Sequence, residues 1–275
     1  MKKAPQSGVL LTSLGLLLAL NIGACSVSSP DGAPGGGGGA PQAAPGIGSN
    51  PSGSVSSGAP AQAPTADVNF SDPGNVPFAD PVTPTSKASG AFFAGTWSVA
   101  GGYYQQSTGA KSASLSFREY VGNAFGSSGG ATPAKYRADV TAWVYQPSDQ
   151  YPNMVGAPLG IIGYAPYFID ETHYLLAVAK PDHLEVWATD GFVPGQNWPV
   201  TNLLWSKALA TPLAVGTPVA WSVQVDTTTQ SATIWANGTQ QATVKSPMLA
   251  NSGQHVALVS NGNYVHFQDF KLYAE

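Results

Sequence analysis

Tyr136-Arg137-Ala138-Asp139-Val140-Thr141-Ala142-Trp143-Val144-Tyr145 is the stretch on which the fold turns. Tyr136, Ala138, Val140, Ala142 and Val144 alternate with Arg137, Asp139, Thr141 and Trp143. A period of two sustained this long is a strand with one face on a core, whereas a helix repeats its apolar face about every 3.6 residues. With the small apolar residues turned inward, Arg137, Trp143 and Tyr145 point the other way.

The flanks read in the same way. Thr96 to Val99, Gly101-Gly102 and Tyr103 to Gln106 form a hairpin pattern. Gly160 to Ala165, Thr172 to Ala179 and His183 to Thr189 follow, with Lys180-Pro181-Asp182 turning the last two into a hairpin. Val219 to Val225 and Ser231 to Ala236 precede Asn237-Gly238, a two-residue turn whose central positions both need positive φ. His255 to Ser260, Asn261-Gly262 and Tyr264 to Tyr273 close the chain. No window carries a helical stripe. About a dozen short strands with turns between them predict an all-β, antiparallel sandwich or barrel in one domain.

Towards the N-terminus the pattern dissolves. Lys2 and Lys3 precede an apolar run from Val9 to Leu20, broken only by Thr12, Ser13 and Gly15. At about 1.5 Å per residue that run is too short for a hydrocarbon layer of roughly 30 Å, so residues 1–24 read as a secretory signal peptide. Ile22-Gly23-Ala24-Cys25 resembles the lipobox of bacterial lipoproteins. The resemblance implies cleavage before Cys25, its thioether lipidation and acylation by chains such as palmitate, and membrane anchoring in the bacterial cell envelope. Ser26 resembles the outer-membrane sorting position of Gram-negative lipoproteins. Cys25 is the single cysteine of 275 residues, so no disulfide can staple the exported domain.

Residues 25–66 are Gly, Pro, Ala, Ser and Gln with almost no large apolar side chain, and read as a disordered tether. Residues 67–89 are transitional: Phe70, Val76 and Phe78 offer docking points, but the prolines argue against a central strand. The folded domain is expected over 90–275.

Four pieces in order carry a family resemblance. They are Gly95-Thr96-Trp97-Ser98-Val99 with Gly101-Gly102-Tyr103-Tyr104-Gln105-Gln106, Gly160-Ile161-Ile162-Gly163-Tyr164 with Tyr174-Leu175-Leu176-Ala177-Val178, the Asn237-Gly238 hairpin, and the last strand, Val265 to Leu272. Together they resemble the concanavalin A-like jelly roll shared by legume-type lectins, laminin-G-like modules and laminarinase-type glycoside hydrolases. This implies an antiparallel jelly-roll β-sandwich and leaves activity open, since one fold hosts many functions.

Hydrolases of that superfamily carry E-x-D-x-x-E on one strand, which alternation points one way for nucleophile and acid/base roles. This sequence has no such triplet. Asp170-Glu171 are adjacent, and Glu185 stands apart, so no catalytic residue is assigned. Gly126-Ser127-Ser128-Gly129-Gly130 spells G-x-S-x-G in a Gly/Ser loop, without the strand-to-helix turn of a nucleophile elbow. The four histidines stand singly, which argues against zinc. For the structural calcium common in the superfamily, Asp269 is one candidate ligand without a partner. Charged residues make up 9% and the formal net charge is −4, with no basic stripe for nucleic acid.

Aromatic surface remains. Trp143, Tyr164 and Trp187, with Arg137 and Glu185, are expected to share one sheet face and line a shallow ligand groove. Tyr167, His183 and Trp198 lie nearby in sequence, while Trp97, Trp221 and Trp235 are expected in the core. The reading is a lipid-anchored envelope protein whose non-catalytic module binds glycan or another envelope or matrix partner. The alternatives are a glycoside-active hydrolase with acids drawn from separate strands, and a purely structural envelope component. Two carboxylates in one cleft would favour the hydrolase.

Overall fold

The alternation at Tyr136 to Tyr145 is realised in β6 (Lys135–Gln146), a central strand of one of two antiparallel sheets. The computed structural model describes residues 55–68, 70–71, 76–79, 96–107, 116–122, 125, 132–146, 161–170, 172–192, 199–251, 254–261 and 264–275. All belong to the second of two compact units, Met1–Ala43 and Ala44–Glu275. Cys25, the Gly126–Gly130 loop, Glu171 and Trp198 lie outside the described residues.

In chain order the other strands are β1 (Ala66–Val68), β2 (Phe78–Ala79), β3 (Trp97–Ala100), β4 (Tyr103–Gln106), β5 (Ser116–Tyr120), β7 (Ile161–Asp170), β8 (His173–Ala179) and β9 (His183–Phe192). Then come β10 (Pro199–Ala208), β11 (Val219–Asp226), β12 (Ser231–Ala236), β13 (Thr239–Lys245), β14 (His255–Asn261) and β15 (Tyr264–Ala274). The eight-stranded sheet runs β13-β12-β11-β6-β15-β4-β3, with β1 added to β15. The seven-stranded sheet runs β10-β9-β8-β7-β14-β5-β2. The chain changes sheet on entering and leaving β2, on entering and leaving β5, and then between β6 and β7, β10 and β11, β13 and β14, and β14 and β15. The product is an antiparallel jelly-roll β-sandwich.

Its core is built by the two inner faces. Tyr136, Ala138, Val140, Ala142 and Val144 of β6 join Tyr164, Tyr167, Leu175 and Ala177 of the opposite sheet in one buried cluster. Three tyrosine hydroxyls are carried inside, and each donates to a backbone carbonyl: Tyr136 to Pro166 (2.5 Å), Tyr164 to Ala138 (2.8 Å) and Tyr167 to Met248 (2.9 Å). Unpaired, each would cost about 1–3 kcal/mol. The outer face of the seven-stranded sheet is also closed, with Phe117, Phe168, Tyr174, Leu176 and Val178 in a second buried cluster.

β15 shares its second edge between two strands. β4 pairs with Val265–Phe267 and β1 with Phe270–Leu272. Between them the register against β6 shifts, and Asp269 takes φ 54°, the mark of a bulge.

Several expectations change. β5 and β10 carry no clean alternation and escape the sequence reading. β14 and β15, which follow one another at the end of the chain, lie in different sheets. β2, in the proline-rich stretch, is an edge strand, as missing amide donors require. The tether expected over 25–66 also ends early. Thr65 N donates to Leu272 O (2.7 Å), and Gln62 Nε2 to Ala274 O (3.0 Å). Pro60 O accepts from Arg137 Nη1 (2.7 Å), and Ser57 O from Gly238 N (3.0 Å). Residues 55–65 therefore form a strap across the outer face of the eight-stranded sheet. Composition hides this, because the strap docks through amides and carbonyls rather than apolar side chains.

Candidate functional site

The groove expected from Arg137, Trp143, Tyr164, Glu185 and Trp187 does not form. Arg137 and Trp143 face outward from β6 in one sheet, while Glu185 and Trp187 face outward from β9 in the other. Tyr164 is fully buried in the core, its hydroxyl spanning to the opposite sheet. Strand spacing orders side chains within a strand but not strands into sheets, which is why the grouping fails. Trp143 faces outward as expected, yet it is 0% exposed and packs edge-on against Tyr103 and His266 at 5.0 and 5.5 Å. Trp187 is half-buried, and its Nε1 donates to Glu185 Oε2 at 2.6 Å. Lys180 Nζ pairs with the same oxygen at 2.6 Å and stands 5.0 Å over the indole. Those three side chains satisfy one another.

Of the expected groove residues Arg137 lines two cavities, in company with residues from β11, β12 and β15. Below the strap a cavity of about 380 Å³ is lined by Arg137, Asp139, Thr141, Asp269, Lys271 and Tyr273. Beside it a second, of about 340 Å³, is lined by Arg137, Gln224, Trp235 and Glu275. Pro60 and Gln62 of the strap border both.

Local rules place each side chain. In β12, Ala232, Ile234 and Ala236 face the core, so Trp235 faces out. Trp235 was expected in the core; it is buried against the outer face instead, opposite Ser222 in register. Its outward aim was readable from the same alternation that placed Arg137. In β15, Val265 and Phe267 point inward, then Phe270 and Leu272 do, a step of three that the bulge at Asp269 absorbs. Lys271 and Tyr273 are thereby turned outward. Spacing of the aromatics carried that signal too.

The centre of the site is a buried charged set. Arg137 Nε lies 3.2 Å from Asp139 Oδ1, and its guanidinium carbon lies 3.7 Å from the centre of the Tyr273 ring. Arg137 is 3% exposed, so its charge is held by Asp139, Tyr273 and the Pro60 carbonyl. Burial raises the Asp139 carboxyl above its ordinary value, outweighing the opposing pull of Ser222, Arg137, Tyr273 and Lys271. Asp269 lies outside any group of three or more His, Cys, Asp or Glu side chains fit to hold a metal, since the described residues contain none.

Further along the same face stands a histidine between aromatics. His266 stacks on Tyr145 at 3.9 Å and on Tyr103 at 4.9 Å, and its Nε2 is 3.1 Å from Gln105 Oε1. With that amide oxygen as acceptor, Nε2 carries the proton and Nδ1 is the lone-pair nitrogen. Burial pushes the imidazole pKa down to about 4, leaving the ring neutral.

No family model and no curated protein sequence matches the chain. Among solved structures it is similar to the carbohydrate-binding module CBM66 from Bacillus subtilis, with a TM-score of 0.43 and 13% identity over 66% of this chain and 92% of that one. It is also similar to an alginate lyase from Pseudomonas aeruginosa, with a TM-score of 0.42 and 11% identity over 69% and 90%. A third likeness is the binding domain of botulinum neurotoxin serotype G, with a TM-score of 0.36 and 10% identity over 66% and 41%. Likenesses this loose carry no argument about ligand or reaction. The class of protein is therefore defined by its own sheets: a two-sheet jelly-roll sandwich with a strapped polar cleft on one outer face.

Proposed function

We propose that the protein is a cell-envelope module that binds a neutral polysaccharide along the outer face of the eight-stranded sheet and is held at the membrane by a lipid on Cys25. The observation that carries the reading is a pair of adjoining cavities that share Arg137, one lined by Asp139, Lys271 and Tyr273 and the other by Trp235. An indole face stacks on the C–H face of a sugar ring, while charged groups bond its hydroxyls at about 1.5–3 kcal/mol each. Arg137 and Lys271 offset Asp139 and Asp269 on the first cavity, so it has no formal charge with which to select a polyanion.

Affinity electrophoresis through gels containing glucan, mannan or a polyuronate tests this. Retention on a neutral polymer is expected, weakened at least tenfold by Trp235→Ala and less by Lys271→Met. Retention on no polymer overturns the glycan reading, and preference for the polyuronate overturns its neutral specificity. For the anchor, mass spectrometry of the envelope fraction is expected to show an acylated mature N-terminus at Cys25, absent in Cys25→Ser. An unmodified wild-type N-terminus retires the lipoprotein reading.

One observation favours a second reading, hydrolysis. Asp139, with its raised proton affinity, shares a cavity with a second carboxylate, Asp269, and glycoside hydrolysis uses an acid of that kind with a carboxylate partner. New reducing ends from a retained polymer, lost in Asp139→Asn while retention survives, would establish it.

A further inference from the structure

The strap has an unusual relation to the face it covers. Its residues from Ser56 to Gln62 read Ser-Ser-Gly-Ala-Pro-Ala-Gln, and apart from Gln62 their side chains are too small to fill the cavities beneath. Most of these residues are exposed, and open volume remains between them and the sheet. What holds the strap is a short set of polar contacts. Arg137 Nη1 donates to Pro60 O, Gly238 N to Ser57 O, and Gln62 Nε2 to Ala274 O. At Gly58 the chain crosses the β12–β13 turn so closely that a Cβ would lie 2.1 Å from the Gly238 carbonyl carbon, and φ there is +83°.

A segment held by few hydrogen bonds and little apolar burial opens at low free-energy cost. The group it satisfies is the telling one. Arg137 is 3% exposed, and a buried guanidinium that lost Pro60 would need another oxygen acceptor. A sugar hydroxyl or ring oxygen supplies one. Like a polysaccharide, the strap is an extended polymer that meets this face through oxygen atoms and small groups.

We propose that residues 55–62 are a built-in occupant of the cleft, displaced when a polysaccharide binds. This rests on the polysaccharide reading above and adds its regulation: apparent affinity is the intrinsic affinity reduced by the fraction of molecules in which the strap is docked.

The test uses the full chain and Gly58→Val, whose side chain cannot pass the Gly238 backbone. The gel polymer that retains the wild type serves as probe. In Gly58→Val, hydrogen exchange at the Gly238 amide, whose N–H donates to Ser57 O when the strap is docked, is expected to rise at least tenfold. Retention should rise at least threefold, with exchange in β6 and β11 unchanged. Wild-type protein supplies an independent arm, since adding the same polymer in solution should raise exchange at the Gly238 amide. Retention that stays level or falls once the strap is loosened overturns displacement while leaving polysaccharide binding intact. So does polymer that slows exchange at the Gly238 amide, which would make the docked strap part of the binding surface. Absence of retention in both proteins overturns the polysaccharide reading and this inference with it.

Discussion

Arg137 shows how one residue links the strap, the sheet and the proposed ligand. Its charge sits among Asp139, Tyr273 and a backbone carbonyl, and removing any partner would leave a charged group underpaired. His266 shows the opposite strategy, because its burial suppresses charge. With a folded pKa near 4 against 6.5 for the free ring, the native state binds the proton less well than the unfolded chain. Stability from this group is fully present above about 6.5 and is lost as pH falls through the window to about 4. Asp139, whose carboxyl is raised, works in the opposite sense, gaining stability as pH falls through its folded value. Asp170 is held low, its burial outweighed by bonds from Thr172 and His173, so its contribution is lost only below the ordinary carboxylate value. The difference between wild type and His266→Gln isolates the imidazole. The wild type should lose more stability than the variant between pH 6.5 and 4, and the His266 ring signals should titrate near 4 by NMR. A midpoint near 6.5 would show the ring open to water.

At the scale of elements, β7 and β8 are joined closely at Gly163. Gly163 lies so close to β8 that a Cβ would stand 2.1 Å from the Ala177 carbonyl oxygen and 2.9 Å from Val178 Cα. Both are backbone atoms, so no rotamer relieves the clash; the strands must separate. Gly163→Ala is expected to cost about 3 kcal/mol, the upper part of the usual overpacking range, and to lower the denaturant midpoint accordingly. An unchanged midpoint would mean that β7 and β8 yield freely. β15 is the second critical element. Its bulge lets one strand serve β4 and β1 in turn, and it turns Lys271 and Tyr273 toward the cleft.

For the whole molecule, the docked strap changes where protease should stop. No Lys or Arg lies between Cys25 and Lys87, so trypsin has no target there whatever its conformation. Elastase accepts alanine, and between Cys25 and residue 55 the alanine bond not followed by proline is Ala43–Ala44. With the strap docked, the expected product is a resistant core beginning at Ala44, rather than the start between 65 and 95 that composition alone suggests. N-terminal sequencing of the fragment decides, and a core starting at Ala66 or later would show that the strap is loose in solution.

β6 was legible because a period of two survives intact over its length. Where a bulge broke that period, at Asp269, the outward aim of Lys271 and Tyr273 went unread, though the three-residue step from Phe267 to Phe270 recorded it. Trp235 was misplaced because indoles are so often core, even though its neighbours Ile234 and Ala236 had claimed the inner face. By itself, then, the sequence determined the strand class, the hairpins and the inner face of each regular strand, since these follow from local periodicity and turn chemistry. Only the tertiary structure decided that β6 and β9 belong to different sheets, that Tyr164 crosses the core, and that a stretch of Ser, Gly, Ala and Pro lies over a buried arginine. Those depend on pairings between residues far apart in the chain, which no local spacing encodes.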